Sequence, residues 1–119
     1  MKLKILIIED NEDTALVLQE FFADVGFKAD VAVTGREALQ KFRKGRHQML
    51  ITDFMLPDTD GYSLVKKCKG IANDVKVIYL TGVDIGKNLS QVEVGADCQI
   101  IKKPARPGDI LKMVHKMTE

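Results

Sequence analysis

The sequence predicts one α/β domain in which five parallel strands form a sheet with helices on both faces. Short apolar runs rich in β-branched residues alternate with segments whose apolar residues recur at helical spacing. Glycine, proline or polar residues separate the two kinds of segment, which is the pattern of successive βαβ units. The 119 residues suffice for one hydrophobic core and are too few for two, so we assign 1–119 to a single domain.

Five segments have the composition of strands. The second contains Lys28 and Asp30, which is typical of a strand at the edge of a sheet. The others are mainly apolar, as expected of parallel strands that helices cover on both faces. The predicted strands span residues 4–8, 27–33, 48–52, 75–80 and 98–101.

Five further segments have helical signatures. Asn11, Thr34 and Asp60 can each cap a first turn, and Thr34 opens a Thr-Gly-Arg-Glu capping box. A short helix is predicted at 87–94, and Pro107 suits the start of the last helix. The apolar residues predicted to line the buried helix faces are Ala15, Leu18, Phe22, Val25, Ala38, Leu39, Phe42, Leu64, Val65, Cys68, Ile110, Leu111, Val114 and Met117.

The composition argues against several classes of function. A net charge of +1, from 18 basic and 17 acidic residues, gives no field that would attract nucleic acid or a membrane surface. No apolar run is long enough for a signal sequence or a membrane span, so we expect a cytoplasmic protein. Cys68 and Cys98 are too few for a disulfide framework or a zinc site. His47 is predicted to be exposed, and Tyr79 to lie in the core.

Four of the predicted strands end at residues that carry a charge or a hydroxyl. Glu9 and Asp10 follow the first strand, Asp53 the third, Thr81 the fourth and Lys103 the fifth. In an open parallel sheet the carboxyl ends of the strands share one edge, and ligands bind there. We therefore expect these five side chains to face one crevice.

Three carboxylates in one crevice need a positive partner. At about 4 Å each pair repels by about 4 kcal/mol at an effective dielectric near 20, so either one is protonated or a cation lies among them. A small set of oxygen ligands suits Mg²⁺ better than zinc. Mg²⁺, an ammonium group and a hydroxyl can together stabilise a phosphoryl-transfer transition state, and a carboxylate can be the nucleophile. The hypothesis is that Asp53 accepts a phosphoryl group.

The combined pattern resembles the receiver domain of two-component response regulators, and chemotaxis regulators in particular. The resemblance covers the whole chain. It implies a flavodoxin-like, doubly wound sheet of strand order 2-1-3-4-5, and Mg²⁺-dependent transfer of phosphate from a histidine kinase or phosphotransfer protein, with Mn²⁺ able to substitute. The residues that carry the resemblance are Glu9-Asp10, Asp53 with the following Met-Leu-Pro57 and Asp60-Gly61, Thr81, and Lys103-Pro104.

The resemblance also implies individual roles. Asp53 is the phosphoacceptor and a metal ligand. Asp10 holds the metal directly, Glu9 holds it through water, and Met55 supplies its backbone carbonyl. Thr81 is the switch hydroxyl that reaches the phosphoryl oxygens.

Lys103 is implied to pair with the phosphoryl group, and its bond to the following proline is expected to be cis. That proline favours Lys103 over Lys102 for the role. Three positions before the lysine the family usually has an aromatic switch residue, where this chain has Ile100. A rotating ring therefore cannot carry the signal here.

Met55 and Val83 occupy positions that tune hydrolysis in the family, and both are apolar, which predicts a phosphoryl group that lasts minutes or more.

Three functions compete. The first is a phosphoacceptor switch that catalyses only its own phosphorylation and dephosphorylation and is not a metabolic enzyme. The second is a small Mg²⁺-dependent phosphatase, but such enzymes usually place a second acid where Met55 stands. The third is a degenerate receiver that only binds partners, which the intact acid, threonine and lysine set argues against.

The expected partners follow from the first function. They are a sensor histidine kinase or phosphotransfer protein, a downstream target or missing output domain, and a second copy of the phosphorylated chain. Phosphorylation is expected to switch the 82–111 surface that signals to them. Contact with a membrane or direct contact with nucleic acid is not expected. The last predicted helix ends the sequence, so we expect a stand-alone relay or a piece of a larger regulator or hybrid kinase.

Overall fold

The computed structural model describes residues 3–82 and 92–119. Five strands are present there: β1 (Lys4–Ile8), β2 (Lys28–Ala32), β3 (Met49–Asp53), β4 (Lys76–Thr81) and β5 (Cys98–Lys102). All neighbouring pairs are parallel, in the order β2-β1-β3-β4-β5. The predicted sheet and strand order are confirmed, and the charged strand β2 lies at an edge.

The described residues contain four helices: α1 (Glu12–Asp24), α2 (Gly35–Gly45), α3 (Gly61–Ile71) and α4 (Pro107–Thr118). Most of the helix predicted at 87–94 lies outside the described residues, and residues 92–94 are not helical. None of these helices combines the length and apolar character that crossing a membrane would need.

The predicted caps determine where three helices begin. Asn11, Thr34 and Asp60 each accept a hydrogen bond from the backbone N–H three residues later, at 3.0, 3.0 and 2.7 Å. The Glu37 carboxylate accepts the Val33 N–H at 2.7 Å, one residue earlier than a standard capping box predicts. These bonds satisfy N–H groups that the helix itself leaves without partners.

Two hydrophobic cores lie on opposite faces of the sheet, because successive residues of a strand point to opposite sides. One core joins the sheet to α1 and α4, and the other joins it to α2 and α3. The first includes Ile5, Ile7, Phe22, Ile51, Ile78, Ile110 and Val114. The second includes Leu6, Ile8, Phe42, Leu50, Leu64, Val77 and, as predicted, Tyr79.

One predicted core residue of α1 is not in the core. Val25 is 46% exposed, because α1 ends at Asp24 and Val25 is only its C-cap. Gly26 follows with a φ of +98°, a conformation that glycine adopts without strain, and it turns the chain away from the helix.

The prediction that His47 is exposed is wrong: its side chain is buried. Its Nε2 lies 2.8 Å from Oδ2 of Asp30, and its ring stacks on Phe42 with the planes 20° apart. Gly45 makes room for the ring, since a Cβ there would lie 2.5 Å from it. Arg46, with a φ of 51°, turns the chain so that the ring folds back under α2.

Burial also fixes the charge state of His47. It lowers the pKa of the imidazole, and this effect outweighs the hydrogen bond to Asp30, which raises the pKa. Lys4 and Lys41 lower it further. The neutral ring donates its Nε2–H to the carboxylate, and its Nδ1 then has no hydrogen-bond partner among the described residues.

Candidate functional site

The register of the sheet brings the acidic residues together. Ile8 pairs with Thr52, so Glu9, the next residue after β1, lies level with Asp53 at the end of β3. One carboxylate oxygen from each of Glu9, Asp10 and Asp53 lies within 4.8 Å of the other two. Glu9 and Asp53 are 2% and 3% exposed, and Asp10 is exposed to solvent. The predicted crevice thus contains all three acids.

Lys103 adds the positive charge. Its Nζ lies 2.6 Å from Oδ1 of Asp53 and 3.2 Å from Oε2 of Glu9. The neighbouring Lys102 is exposed and belongs to β5. The peptide bond between Lys103 and Pro104 is cis, as the resemblance implies.

Burial changes the protonation of Asp53. Burial is the largest cause that raises the pKa of Asp53, the side chain of Glu9 also raises it and Lys103 lowers it, and the result is a pKa of about 7. For Lys103 burial by itself would lower the pKa, but the hydrogen bond and charge of Asp53 raise it above its ordinary value. The lysine is therefore charged, and Asp53 is poised between its neutral and ionised forms near neutral pH.

Thr81 completes the crevice from the next strand. It is buried at the end of β4, and its carbonyl oxygen accepts the N–H of Lys103 at 2.7 Å. Together with Asp10, Asp53 and Met55 these residues line an open cleft of about 220 Å³. The cleft has room for a small anion or a hydrated ion beside the acids.

The donor set fits a divalent cation. When all three carboxylates are ionised, one ammonium group leaves two negative charges without a counter-charge, which matches one divalent ion. Asp53 Oδ1 lies 2.6 Å from Nζ of Lys103, and as a carboxylate oxygen it keeps a further lone pair for a metal. All the side-chain donors are oxygens, which is the ligand type that hard cations prefer.

The loop after β3 brings Met55 to the same cleft. Met55 is 57% exposed and pairs with Asp60 in an isolated antiparallel bridge. The N–H of Gly61 donates to the carbonyl of Phe54. A Cβ on Gly61 would lie only 2.5 Å from the carbonyl oxygen of Asp53, so this close approach requires glycine.

The expected switch region is only partly described. Ile100 lies half-buried in β5 and packs against the core that contains α2 and α3. Val83 lies outside the described residues. Cys68 and Cys98 are free, and burial raises the pKa of both thiols, to about 11 for Cys68. Neither thiol is activated for chemistry.

One contact near the site was not predicted from the sequence. Asp58, in the loop after β3, accepts hydrogen bonds from the first N–H groups of α2, which begins 23 residues earlier in the chain. Local pattern gives no signal for this contact, because it depends on how two separate segments meet. The contact of Lys103 with Glu9, across 94 residues, agrees with the shared crevice that the strand ends predict.

Sequence comparison places the chain among known proteins. A family model described as "Response regulator receiver domain" matches residues 5–115. The chain belongs to the response regulator receiver family. Receiver domains take part in phosphorylation-based two-component signalling, and this chain is such a signalling domain rather than an enzyme of the usual kind.

Curated relatives of the receiver domain are longer proteins. This chain is 31% identical over 115 residues to the transcriptional regulatory protein PcoR of Escherichia coli, a match that covers 96% of this chain and 49% of that protein. It is 32% identical over 114 residues to the response regulator SaeR of Staphylococcus epidermidis, covering 95% and 49%. The chain thus spans about half the length of the curated relatives it matches.

Solved structures show the same fold. The receiver domain superposes on the chemotaxis protein CheY4 of Vibrio cholerae with a TM-score of 0.89 at 23% identity, covering 98% of this chain and 99% of that one. A CheY-like response regulator receiver domain protein from Methanospirillum hungatei JF-1 gives 0.87 at 28% identity, covering 99% and 95%. At 23% identity the first likeness concerns the fold alone.

Proposed function

We propose that this chain is a phosphoacceptor switch in which Asp53 takes a phosphoryl group from a phosphohistidine of a histidine kinase or phosphotransfer protein. The observation that carries the proposal is the meeting of three carboxylates and one lysine at one edge of the sheet. Membership of the receiver family supports this chemistry over other reactions of a metal-bound carboxylate.

We assign the metal to Mg²⁺, with Mn²⁺ able to substitute. Asp10, Asp53 and the backbone carbonyl of Met55 are the proposed direct ligands, and the buried Glu9 acts through water. The ion, when bound, supplies positive charge for the oxygens of the incoming phosphoryl group. It also favours the ionised form of Asp53, whose pKa is raised to about 7 without it.

Three side chains have roles in the proposed transfer: Asp53, Lys103 and Thr81. A carboxylate oxygen of Asp53 attacks phosphorus, the P–N bond of the donor breaks, and its electron pair returns to the imidazole nitrogen of the donor. Lys103 already contacts Asp53 and is close enough to pair with a phosphoryl oxygen. The Thr81 hydroxyl, buried beside the same cleft, is the proposed donor to another phosphoryl oxygen.

The acyl phosphate should be long-lived. Met55 projects from the loop beside Asp53 and has no polar group with which to orient a water for attack on phosphorus. We expect a lifetime of minutes or more, measured as loss of radiolabel from isolated phosphoprotein. A lifetime of seconds would contradict this.

The signal is proposed to leave through the 82–111 surface. Thr81 ends β4, Lys103 directly follows the neighbouring strand β5, and the two share a backbone hydrogen bond. Their engagement by a phosphoryl group would favour one state of this surface over another. The recipient is a downstream target, an output domain or a second copy of this chain, and we place the process in the cytoplasm.

The test uses a small phosphodonor. The chain is incubated with acetyl phosphate and Mg²⁺ and then weighed by mass spectrometry. One stable adduct of about 80 Da, the mass of one phosphoryl group, is expected. Asp53→Asn should abolish the adduct, whereas Asp97→Asn, at the opposite edge of the sheet, should retain it.

Two other outcomes identify the alternatives. Turnover of the donor without an adduct would indicate a phosphatase that works through a short-lived aspartyl phosphate. Absence of both Mg²⁺ binding and reaction would indicate a receiver that only binds partners.

A further inference from the structure

The segment 32–36, which ends β2 and begins α2, contacts two of the acid-bearing loops. The carbonyl of Ala32 accepts the N–H of Glu9 at 3.0 Å, which fixes the turn that follows β1. On its other side the segment is bound by the loop that follows Asp53. The two loops that carry the carboxylates are therefore attached to the same short piece of chain.

Asp58 makes the second attachment. Its Oδ1 accepts the N–H of Gly35 at 2.8 Å, and its Oδ2 accepts the N–H of Arg36 at 3.0 Å. Both donors belong to the first turn of α2, where N–H groups have no partner within the helix and the helix dipole favours a negative charge. These bonds lower the pKa of Asp58, the one from Gly35 most strongly, so the carboxylate is charged at neutral pH.

The backbone of α2 and the loop also pack against each other. A Cβ on Gly35 would lie 2.5 Å from Cγ2 of Thr59, so glycine is the residue that allows the contact. The loop is closed on itself, since the N–H of Leu56 donates to the carbonyl of Thr59 at 3.0 Å. A displacement of Asp58 and Thr59 should therefore also displace Leu56 and the preceding Met55.

We propose that Asp58 is a positioning residue for the phosphoacceptor site: its two bonds to α2 hold the loop so that Met55, which lines the same cleft as Asp10 and Asp53, keeps its backbone carbonyl in place for the metal. Asp58 itself touches neither the metal nor the phosphoryl group. This role rests on the proposed function, because it acts on the proposed metal site.

The test is a calorimetric Mg²⁺ titration of the full chain. Asp58→Ala is expected to weaken Mg²⁺ binding about tenfold, the lower end of the effect of removing a group that orients a metal ligand. The phosphorylation rate should fall at low Mg²⁺ and recover at saturating Mg²⁺. Amide hydrogen exchange at Gly35 and Arg36 should quicken in the same variant.

Three further variants separate positioning from charge and from folding. Asp58→Asn keeps one hydrogen-bond acceptor without the charge, and its Mg²⁺ affinity should stay within about threefold of that of the unaltered chain. Gly35→Ala disturbs the same contact from the helix side and should weaken binding in the same direction. Asp97→Ala removes an exposed, hydrogen-bonded carboxylate elsewhere and should leave Mg²⁺ binding unchanged.

Unchanged Mg²⁺ affinity in Asp58→Ala would overturn the proposal, and so would equal losses in Asp58→Asn and Asp58→Ala, which would reveal a simple charge effect. If the unaltered chain binds Mg²⁺ but takes no phosphoryl group, the proposed function fails while the calorimetric comparison still decides the role of Asp58. If the unaltered chain binds no Mg²⁺, both proposals fail.

Discussion

An ionisable side chain is buried at each of two edges of the sheet, the amino edge, where the strands begin, and the carboxyl edge, where they end. The two side chains have different surroundings. At the amino edge, His47 has one carboxylate partner, Asp30, and burial keeps the ring neutral. At the carboxyl edge, Asp53 shares a single ammonium group with Glu9. Burial raises the pKa of that aspartate and lowers the pKa of the histidine.

The difference agrees with a structural role for His47 and with the chemistry proposed for Asp53. A buried neutral group that donates one hydrogen bond and stacks on an aromatic ring mainly adds stability. A buried group among like charges costs stability and is retained where the charge has a use. Each of the following variants changes one edge and should leave the other edge as it was.

The largest effect is expected from Lys103→Ala, which removes the only cation that contacts Asp53 among the described residues. The rate of adduct formation from acetyl phosphate should fall about 100-fold, or about 3 kcal/mol of transition-state stabilisation. Mass spectrometry at a series of reaction times measures the rate. In Lys102→Ala, which changes the adjacent exposed lysine, the rate should stay within about twofold of that of the unaltered chain. An equal loss of rate in the two variants would contradict a specific role for Lys103.

The next effect belongs to the amino edge. His47→Ala removes a buried ring that stacks on Phe42 and leaves a cavity, so the free energy of unfolding should fall by about 2 kcal/mol. Urea denaturation followed by circular dichroism measures it. His115→Ala, on an exposed position of α4, should cost less than about 0.5 kcal/mol. Adduct formation in folded His47→Ala should match that of the unaltered chain.

A smaller change of opposite sign is expected from Asp53→Asn. The pKa of Asp53 is about 7 in the folded chain and near 3.8 in the unfolded chain, so its contribution is greatest below pH 4 and is lost as pH rises to 7. Without metal, Asp53→Asn should therefore be more stable than the unaltered chain by about 1 kcal/mol at pH 8, with no gain at pH 4. Urea titrations at both pH values decide this; a loss of stability at pH 8 would contradict it.

The smallest effect is the acid response of His47. Its pKa is lowered in the folded chain, so the stability it contributes is present above pH 6.5 and is lost as pH falls through the folded value. In the Asp53→Asn background, stability should drop by about 0.5 kcal/mol between pH 7.5 and 5.5. Adding His47→Ala should flatten that slope. A slope that persists without the histidine would place the titrating group elsewhere.

Local sequence signals were sufficient for the sheet and for the meeting of the site residues. The apolar runs specify the strands. Four of the five strands end at or directly before a residue that the site uses, so a parallel register alone brings Glu9 and Asp53 level. The caps at Asn11, Thr34 and Asp60 were equally predictable, because each bond spans only three residues.

Contacts between distant segments could not be predicted in this way. His47 stands in a polar, basic stretch typical of a surface loop, and only the space left by Gly45 lets its ring turn inward. Asp58 belongs to a run of turn residues and shows no sign of its bonds to α2. Val25 was misassigned because helical spacing does not reveal that α1 ends one residue earlier.

The glycine at the start of α3 has a mechanical consequence. Because Gly61 lies against the main chain of Asp53 with no space for a side chain, we expect the proposed phosphoacceptor and the start of α3 to move together. When the charge at Asp53 changes, we then expect side chains and the strands beside β3 to rearrange, rather than α3 to shift against Asp53. We therefore expect the proposed signal to pass through Thr81 and Lys103, which lie at the end of β4 and directly after β5.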